Sequence, residues 1–175
     1  MIPVVRDSRD GDIPAIAAIY ADAVETGTAS FELTPPDVSE MAQRRMRLLD
    51  AGYPYLAAEL AGTFAGYAYA GPYHTRPGYR CSVENSIYVA SWARRRGVGR
   101  VLLSSLISTC TERGFRQMIA IIGDSRHAAS IELHRSLGFG MVGTIKDVGY
   151  KFDRWLDSVI MQRSLGAGAS TPPDP

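Results

Sequence analysis

The chain of 175 residues has the length of one ordinary domain, and its 46% hydrophobic content is enough to build a buried core. A formal net charge of +1 argues against a protein that holds nucleic acid by overall basic charge. The N-terminus lacks an apolar h-region and no apolar run is long enough to span a membrane, so we expect a soluble, cytoplasmic protein.

The first half of the chain predicts a short strand followed by two helices. The strand covers residues 2–6, and the first helix covers 10–25 with Asp12 as its N-terminal cap. The second helix covers 39–52, with Ser39 as its cap and Gly52 at its end.

The middle of the chain predicts a hairpin and then a strand with two different faces. Strands over 53–60 and 63–73 flank the turn signal Ala61-Gly62. The stretch SVENSIYV, residues 82–89, alternates apolar and polar positions apart from one asparagine on the apolar side. A glycine-rich segment then opens a helix over 97–114.

The remaining chain alternates strand and helix before a final pair of strands. A buried strand covers 115–123, and a helix starts near Asp124 or Ser125 and ends at Gly138. The last two strands cover 141–152 and 154–163. This order predicts an α/β fold with a mixed sheet.

The ends of the chain and its cysteines carry no sign of function. Residues 1–165 are predicted to form a single domain, and the small, polar, proline-rich residues 166–175 a disordered tail. Cys81 and Cys110 lack metal or redox spacing, so we expect reduced structural thiols.

The stretch RRRGVG, residues 94–99, is the strongest local signal, and we call it the arginine-glycine turn. It lies between a predicted strand and a predicted helix, whose first N–H groups have no intrahelical partner and attract anions. Glycines without Cβ let phosphate oxygens approach those groups. The spacing matches neither the dinucleotide GxGxxG motif nor a P-loop, and a solvated basic turn is the alternative.

The turn also fits the R/Q-x-x-G-x-G/A signature, and from residue 4 to residue 163 the sequence resembles the GCN5-related N-acetyltransferases (GNAT). More narrowly it is similar to the phosphinothricin and methionine sulfoximine/sulfone acetyltransferase subfamily. The segments that carry this resemblance are TASFE, AGPYHTRPGYRCSVENSIYV, IGDSRHAASIELHRSLGF and VGYKFDRWLDSVIMQ.

The resemblance implies a mostly antiparallel, twisted sheet that splays between two central strands and is flanked by about four helices. It also implies acetyl-CoA as the acetyl donor, with the pantetheine arm between the two splayed central strands and the pyrophosphate on the arginine-glycine turn. The implied cofactor-binding residues are Ile87, Tyr88, Val89, Arg94, Arg95, Arg96, Gly97, Val98, Gly99, Arg100 and Ser130.

Two residues are candidates for proton transfer. Glu84 matches the glutamate regarded in the subfamily as the base, directly or through water; the alternative is an exposed strand residue. His134 takes the place where many family members carry a tyrosine acid, and it could assist deprotonation or protonate the leaving sulfur. The alternative for His134 is a histidine packed on a helix face.

His127 departs from the family, in which an asparagine contacts the cofactor at this place. His127 and His134 are seven residues apart, whereas helical metal pairs use i,i+3 or i,i+4 spacing, so no metal is predicted. We expect the oxyanion to be stabilised by a backbone N–H, that of Val89.

The resemblance also implies an acceptor site. Arg76 and Tyr79 match subfamily positions that bind the acceptor, and arginine can grip a carboxylate or phosphinate with two hydrogen bonds. Phe31 and Glu32 are further candidates, although Phe31 could equally be core. His74 stands where relatives vary, which leaves the preferred acceptor open.

The implied acceptor is a small amino acid with a tetrahedral, oxygen-bearing side chain, such as phosphinothricin, methionine sulfoximine or methionine sulfone, and the implied role is detoxification. Family members of this type are usually homodimers. Lys151, Trp155 and Asp157 match family positions and are interpreted as structural or as dimer contacts.

Three alternatives remain. An N-acetyltransferase for another small amine or an ordinary amino acid would keep Glu84 and the arginine-glycine turn but use Arg76 differently. A non-catalytic acyl-CoA-binding module would not need Glu84 or His134. A nucleic-acid binder is disfavoured by the net charge and by the absence of interleaved aromatic residues.

Overall fold

The computed structural model describes residues 2–173, which form one seven-stranded sheet and four α-helices. In chain order the elements are β1 (Val4–Asp7), α1 (Ile13–Thr26), α2 (Val38–Asp50), β2 (Tyr55–Leu60), β3 (Thr63–Pro72), β4 (Ser82–Val89), α3 (Val98–Glu112), β5 (Gln117–Gly123), α4 (Ala128–Ser136), β6 (Gly140–Lys151) and β7 (Arg154–Ser164). The predicted α/β class and the predicted order of elements are confirmed.

The sheet order is β1-β2-β3-β4-β5-β7-β6, and β4 with β5 is its one parallel pair among the described residues. These two strands pair only from Ser82 with Gln117 to Asn85 with Ala120. Beyond that point β4 stays paired with β3, and β5 stays paired with β7. The central strands therefore part, which confirms the predicted splay.

Each face of the sheet carries its own hydrophobic core. On one face α3 and α4 cover a cluster that includes Val83, and Ile87 and Val89 pack against it. On the other face α1 and α2 cover a smaller cluster, against which Tyr88 packs. Successive residues of a strand point to opposite faces, so Glu84 faces α1 and α2 while Asn85 faces α3 and α4.

Of two predicted helix caps, Ser39 is wrong, and Asp12 stands at the predicted position without making a capping hydrogen bond. Helix α2 begins at Val38, one residue before Ser39, because the Asp37 carboxylate accepts a hydrogen bond of 2.8 Å from the N–H of Glu40. Asp12 does stand at the N-terminus of α1, but its carboxylate accepts from Arg6 and from the N–H of Arg9 instead. A strong ion pair thus outcompetes the local cap.

The start of α4 is also later than predicted. Residues 124–127 form turns, and Asp124 has a φ of 74° that a helix does not allow. Helix α4 begins at Ala128, and His127 is its N-terminal cap, with Nδ1 accepting from the N–H of Ser130 at 3.3 Å. The histidine that replaces the family asparagine therefore takes a capping role.

The disordered tail stays a prediction, as does the boundary at residue 165. Residues 166–173 follow β7 in turns, and Arg116 donates to the carbonyls of Gly168 and Pro172. Residues 1, 174 and 175 lie outside the described residues. None of the helices within residues 2–173 combines the length and apolar character needed to cross a bilayer.

Candidate active site

A cavity of about 890 Å³ fills the gap where β4 and β5 part. Both strands contribute to it, and so do the first turn of α3, one side of α4 and the chain after α1. Ten of the predicted cofactor-binding residues line this cavity: Ile87, Tyr88, Val89, Arg94, Arg95, Gly97, Val98, Gly99, Arg100 and Ser130. Arg96 is exposed and does not line it.

The arginine-glycine turn is shaped by two left-handed residues. Arg95 has a φ of 59° and Gly97 a φ of 83°, and Gly97 is the N-terminal cap of α3. The first N–H bonded within this helix is that of Val101, which donates to the carbonyl of Gly97 at 3.1 Å. The N–H groups that precede it therefore point out of the helix end toward the cavity.

Two arginines beside this turn are held by neighbouring elements. Arg94 donates to Asp22 of α1 at 3.1 Å, and Arg100 donates to Ser136 of α4 at 2.9 Å. Both still line the cavity, so their charges add to the positive end of the helix dipole.

These features together fit acetyl-CoA. The positive helix end suits its pyrophosphate, and β4 beyond Asn85 offers backbone groups that no neighbouring strand uses on the β5 side. A pantetheine arm could pair with that edge as a strand would. The cavity continues from the turn to the point where the strands meet.

Glu84 lies at that meeting point, one residue before the strands part. It pairs with Gly71 of β3 and Ile119 of β5, and its side chain is half-buried. Burial raises the pKa of its carboxyl group, which suits a group that must collect a proton near neutral pH. Glu84 is not among the residues that line the 890 Å³ cavity, but Ser86 on the same strand face is.

His134 is buried under the other face of the sheet and lines the cavity. Its Nδ1 lies 2.8 Å from the carbonyl oxygen of Ser130, and its Nε2 lies 3.0 Å from Oδ1 of Asn85. The Phe139 ring packs edge-on against the imidazole, with centroids 5.0 Å apart. Burial lowers the pKa of His134, and the bond to Ser130 opposes that effect.

The predicted acceptor residues Arg76 and Tyr79 lie apart from this cavity. With His74 and Thr75 they line a separate, smaller cavity of about 320 Å³ in the loop between β3 and β4. The loop ends at Ser82, two residues before Glu84. These side chains thus lie toward the Glu84 end of β4, not the arginine-glycine turn.

Phe31 and Glu32 lie in the loop between α1 and α2 and also do not line the larger cavity. The Phe31 ring lies so close to Gly149 and Gly123 that a Cβ at either glycine would overlap it. Glu32 accepts from the Tyr20 hydroxyl at 3.0 Å and pairs with Arg44 at 2.6 Å. Both residues hold the loop in place, and residues 27–29 of that loop line the cavity.

Sequence reasoning missed several residues of the cavity. Asn85 is the clearest case, because an amide on the apolar side of the 82–89 alternation was a visible signal for a buried polar contact. Phe152 and Arg154 also line the cavity, and Arg154 pairs with the buried Asp124. No local pattern marked these two, since β6 and β7 bring them there from far along the chain.

Within residues 2–173, His, Cys, Asp and Glu side chains form no cluster of three that could hold a metal ion. Cys81 and Cys110 are free in the same part of the chain, and burial raises the pKa of the Cys110 thiol to about 12.

Residues 5–160 match the acetyltransferase (GNAT) domain family. The chain is 53% identical over 170 residues to a phosphinothricin N-acetyltransferase of Alcaligenes faecalis, covering 97% of this chain and 86% of that one. It is 42% identical to an L-methionine sulfoximine/L-methionine sulfone acetyltransferase of Pseudomonas paraeruginosa, covering 96% and 98%.

Among solved structures, a GNAT phosphinothricin acetyltransferase from Sinorhizobium meliloti in complex with AcCoA superposes with a TM-score of 0.96. The two sequences are 46% identical, and the superposition covers 99% of this chain and 94% of the Sinorhizobium meliloti chain. The splayed strands, the arginine-glycine turn at the start of α3 and this likeness agree. The chain belongs to the GNAT acetyltransferase family and is an N-acetyltransferase that uses acetyl-CoA.

Proposed function

We propose that this enzyme acetylates the α-amine of a small amino-acid analogue such as phosphinothricin, methionine sulfoximine or methionine sulfone, and that its role is detoxification. Relatives with these activities in their names match the chain over nearly its whole length. Acetylation removes the positive charge of the amine, which such an analogue needs to bind the target it poisons.

The observation that carries the proposal is the position of Glu84 beside the point where β4 and β5 part. A carboxyl group whose pKa is raised by burial can take the proton that an ammonium must lose before its nitrogen can attack. We assign Glu84 as the base, acting directly or through water, and His134 as a second proton-transfer group on the other face.

Backbone geometry supports an oxyanion donor on β4. The N–H of Ala90 donates to the carbonyl of Ala65 in β3, and successive N–H groups of a strand point to opposite edges. The N–H of Val89 therefore points toward the gap that β5 leaves. We assign it to the thioester oxygen as negative charge develops there.

We propose that Arg76 and Tyr79 bind the carboxylate or phosphinate of the acceptor, since both lie in the loop that leads to Glu84. Phe31 and Glu32 would shape the acceptor side from the α1–α2 loop. An arginine offers two parallel N–H donors to such an anion, and a tyrosine adds one more hydrogen bond.

Thiol release from acetyl-CoA with three acceptors tests the proposal: phosphinothricin, methionine sulfone and methionine. We expect turnover with an oxidised or phosphinic acceptor, little with methionine, and loss of turnover in Glu84→Gln. Efficient use of methionine alone would replace the proposal by an ordinary amino-acid acetyltransferase. Binding of acetyl-CoA without turnover of any acceptor would contradict it.

We also propose a homodimer formed through the β6 surface. Strand β6 is an edge of the sheet, and large apolar side chains on the hairpin that it forms with β7 are half-exposed. The β6 surface is defined by Met141, Val142, Ile145, Val148, Tyr150 and Trp155.

Sedimentation of Val148→Asp tests this dimer, with Val4→Asp on the opposite edge strand as a matched control. Both valines are exposed, so neither change should unfold the chain. We expect only Val148→Asp to yield monomers, and a monomeric unmodified protein would contradict the proposal.

The near-neutral charge and the free thiols support our further proposal of a cytoplasmic enzyme without nucleic-acid or membrane partners.

A further inference from the structure

The contact between Asn85 and His134 is a buried polar pair that joins residues 49 positions apart in the chain. Asn85 belongs to β4 and His134 to α4, and both side chains line the cavity. Both residues are more than nine-tenths buried, so their hydrogen bonds cannot be replaced by bulk water.

The orientation of the Asn85 amide is fixed by a third group. Its Nδ2 lies 3.0 Å from the carbonyl oxygen of Ile119, which can only accept a hydrogen bond. The amide nitrogen must face Ile119, and therefore the amide oxygen must face Nε2 of His134. Turning the amide over would set two acceptors against each other at Ile119.

His134 is thus held between two acceptors. Nδ1 faces the carbonyl of Ser130 at 2.8 Å, and Nε2 faces Oδ1 of Asn85 at 3.0 Å. A neutral imidazole carries one N–H and would leave one of these contacts without a proton, whereas an imidazolium satisfies both. The two contacts together favour the imidazolium form, in which Nε2, the nitrogen that faces Asn85, carries a proton.

We propose that Asn85 is a positioning residue that holds a proton on Nε2 of His134, and that this proton goes to the sulfur of CoA as it leaves. The inference rests on the proposed function. The amine nitrogen bonds to the thioester carbon, the C–S bond breaks and sulfur keeps the electron pair. The ammonium loses two protons: Glu84 takes the first and passes it to solvent, and the second goes to solvent as the amide forms. The thiolate takes one proton from His134, and solvent returns one proton to His134, so one proton is released overall.

Other charges near His134 oppose its protonation. His127 of the same helix lowers its pKa, as burial does. Arg100 of α3 donates to Ser136, and Arg163 of β7 donates to the carbonyl of Leu137, so both add positive charge near the end of α4. Glu84 of β4 points to the other face. The carbonyl of Ser130 and Oδ1 of Asn85 are the groups that favour the protonated imidazole of His134.

Nitrogen NMR of the histidine-labelled enzyme tests the proposal without any turnover, so it stands apart from the acceptor assay. The His134 signals are assigned by their absence in His134→Gln. We expect a protonated Nε2 in the unmodified enzyme at neutral pH and a lower His134 pKa in Asn85→Leu. An unprotonated Nε2 throughout the neutral range in the unmodified enzyme would overturn the proposal.

Two opposite substitutions separate positioning from plain structural support. Asn85→Asp keeps an oxygen toward Nε2 and adds negative charge, so it should move the basic limb of kcat/KM upward by about one pH unit, and Asn85→Leu should move it downward. Val83→Ala, a buried change on the same strand face, should lower Tm without moving that limb. Equal effects of the two Asn85 variants, without a shift of the limb, would contradict the proposal.

Discussion

Glu84 and His134 lie on opposite faces of the central sheet. His134 contacts Asn85, the neighbour of Glu84 on β4, and adjacent strand residues point to opposite sides. The backbone of β4 therefore stands between the carboxyl group and the imidazole. The two side chains do not share a face of the sheet, so we assign each of them its own step of the reaction.

Separate steps should give separate limbs of the pH profile. Glu84 must be ionised to act, so kcat/KM should fall as pH drops below its raised pKa. We expect Glu84→Gln to lower kcat by roughly 10²- to 10⁴-fold and to remove this acid limb. Steady-state rates across pH with saturating acetyl-CoA are the measurement.

His134→Gln should instead remove the basic limb and keep the acid one, because the histidine must carry a proton when sulfur leaves. The double variant shows whether the two steps are independent, since effects of groups that act as one unit do not multiply. Loss of both limbs in either single variant would show that the two residues act as one unit.

The raised pKa of Glu84 should also make the folded protein less stable as pH rises. Its folded pKa lies above the unfolded one, so between the two values the native state binds more protons than the unfolded chain. Stability is therefore lost as pH rises through that window. We expect Glu84→Gln to unfold at a higher temperature than the unmodified protein at neutral pH, with the difference shrinking on acidification below the usual pKa of glutamate. A lower Tm at neutral pH would contradict this.

The arginine-glycine turn can be tested against a glycine of equal geometry. Gly97 and Gly114 flank α3, both have a φ of 83°, and a Cβ at either would meet no atom within 4 Å. Gly97→Ala and Gly114→Ala should each cost about 1 kcal/mol in the free energy of unfolding. Only Gly97→Ala, which adds a methyl group at the cavity, should raise the KM for acetyl-CoA, by about tenfold. Equal KM values in both variants would remove the anion-binding role of this turn.

We predict that Lys151 stabilises the loop between α1 and α2, which lies beside the cavity. Its buried ammonium donates to the carbonyls of Gly27 and Ser30 at 3.0 and 2.9 Å. Lys151→Met would leave these oxygens without their partner, and we expect a loss of about 1–3 kcal/mol in the free energy of unfolding and a higher KM for the amine. Urea unfolding and acceptor titrations are the measurements.

Lys146→Met is the matched control for that change. Lys146 also lies on β6, but it is exposed and pairs with Asp157 at 2.7 Å. We expect a much smaller change in stability and an unchanged KM for the amine, because exposed ion pairs contribute little. Equal changes in unfolding free energy and in the KM for the amine in the two variants would show that Lys151 does not stabilise the loop.

Local patterns predicted most of the fold but misplaced its details. Period-2 alternation over 82–89 correctly gave β4 two different faces, because side-chain direction along a strand depends only on backbone geometry. The cap assignment failed at Ser39, where the neighbouring Asp37 makes the capping hydrogen bond. Asp12 is at the predicted cap position, but its carboxylate bonds Arg6 instead of the helix end. Propensity ranks such candidates but does not choose between them.

The sequence by itself determined the order of elements, the position of the arginine-glycine turn between a strand and a helix, and the identity of Glu84 as a candidate base. These features are written in neighbouring residues. Only the tertiary structure decided that Asn85 meets His134, that Lys151 reaches the loop after α1, and that Arg76 and Tyr79 lie outside the larger cavity. Such contacts join residues far apart in the chain, and they depend on how whole elements pack, which no short sequence pattern records.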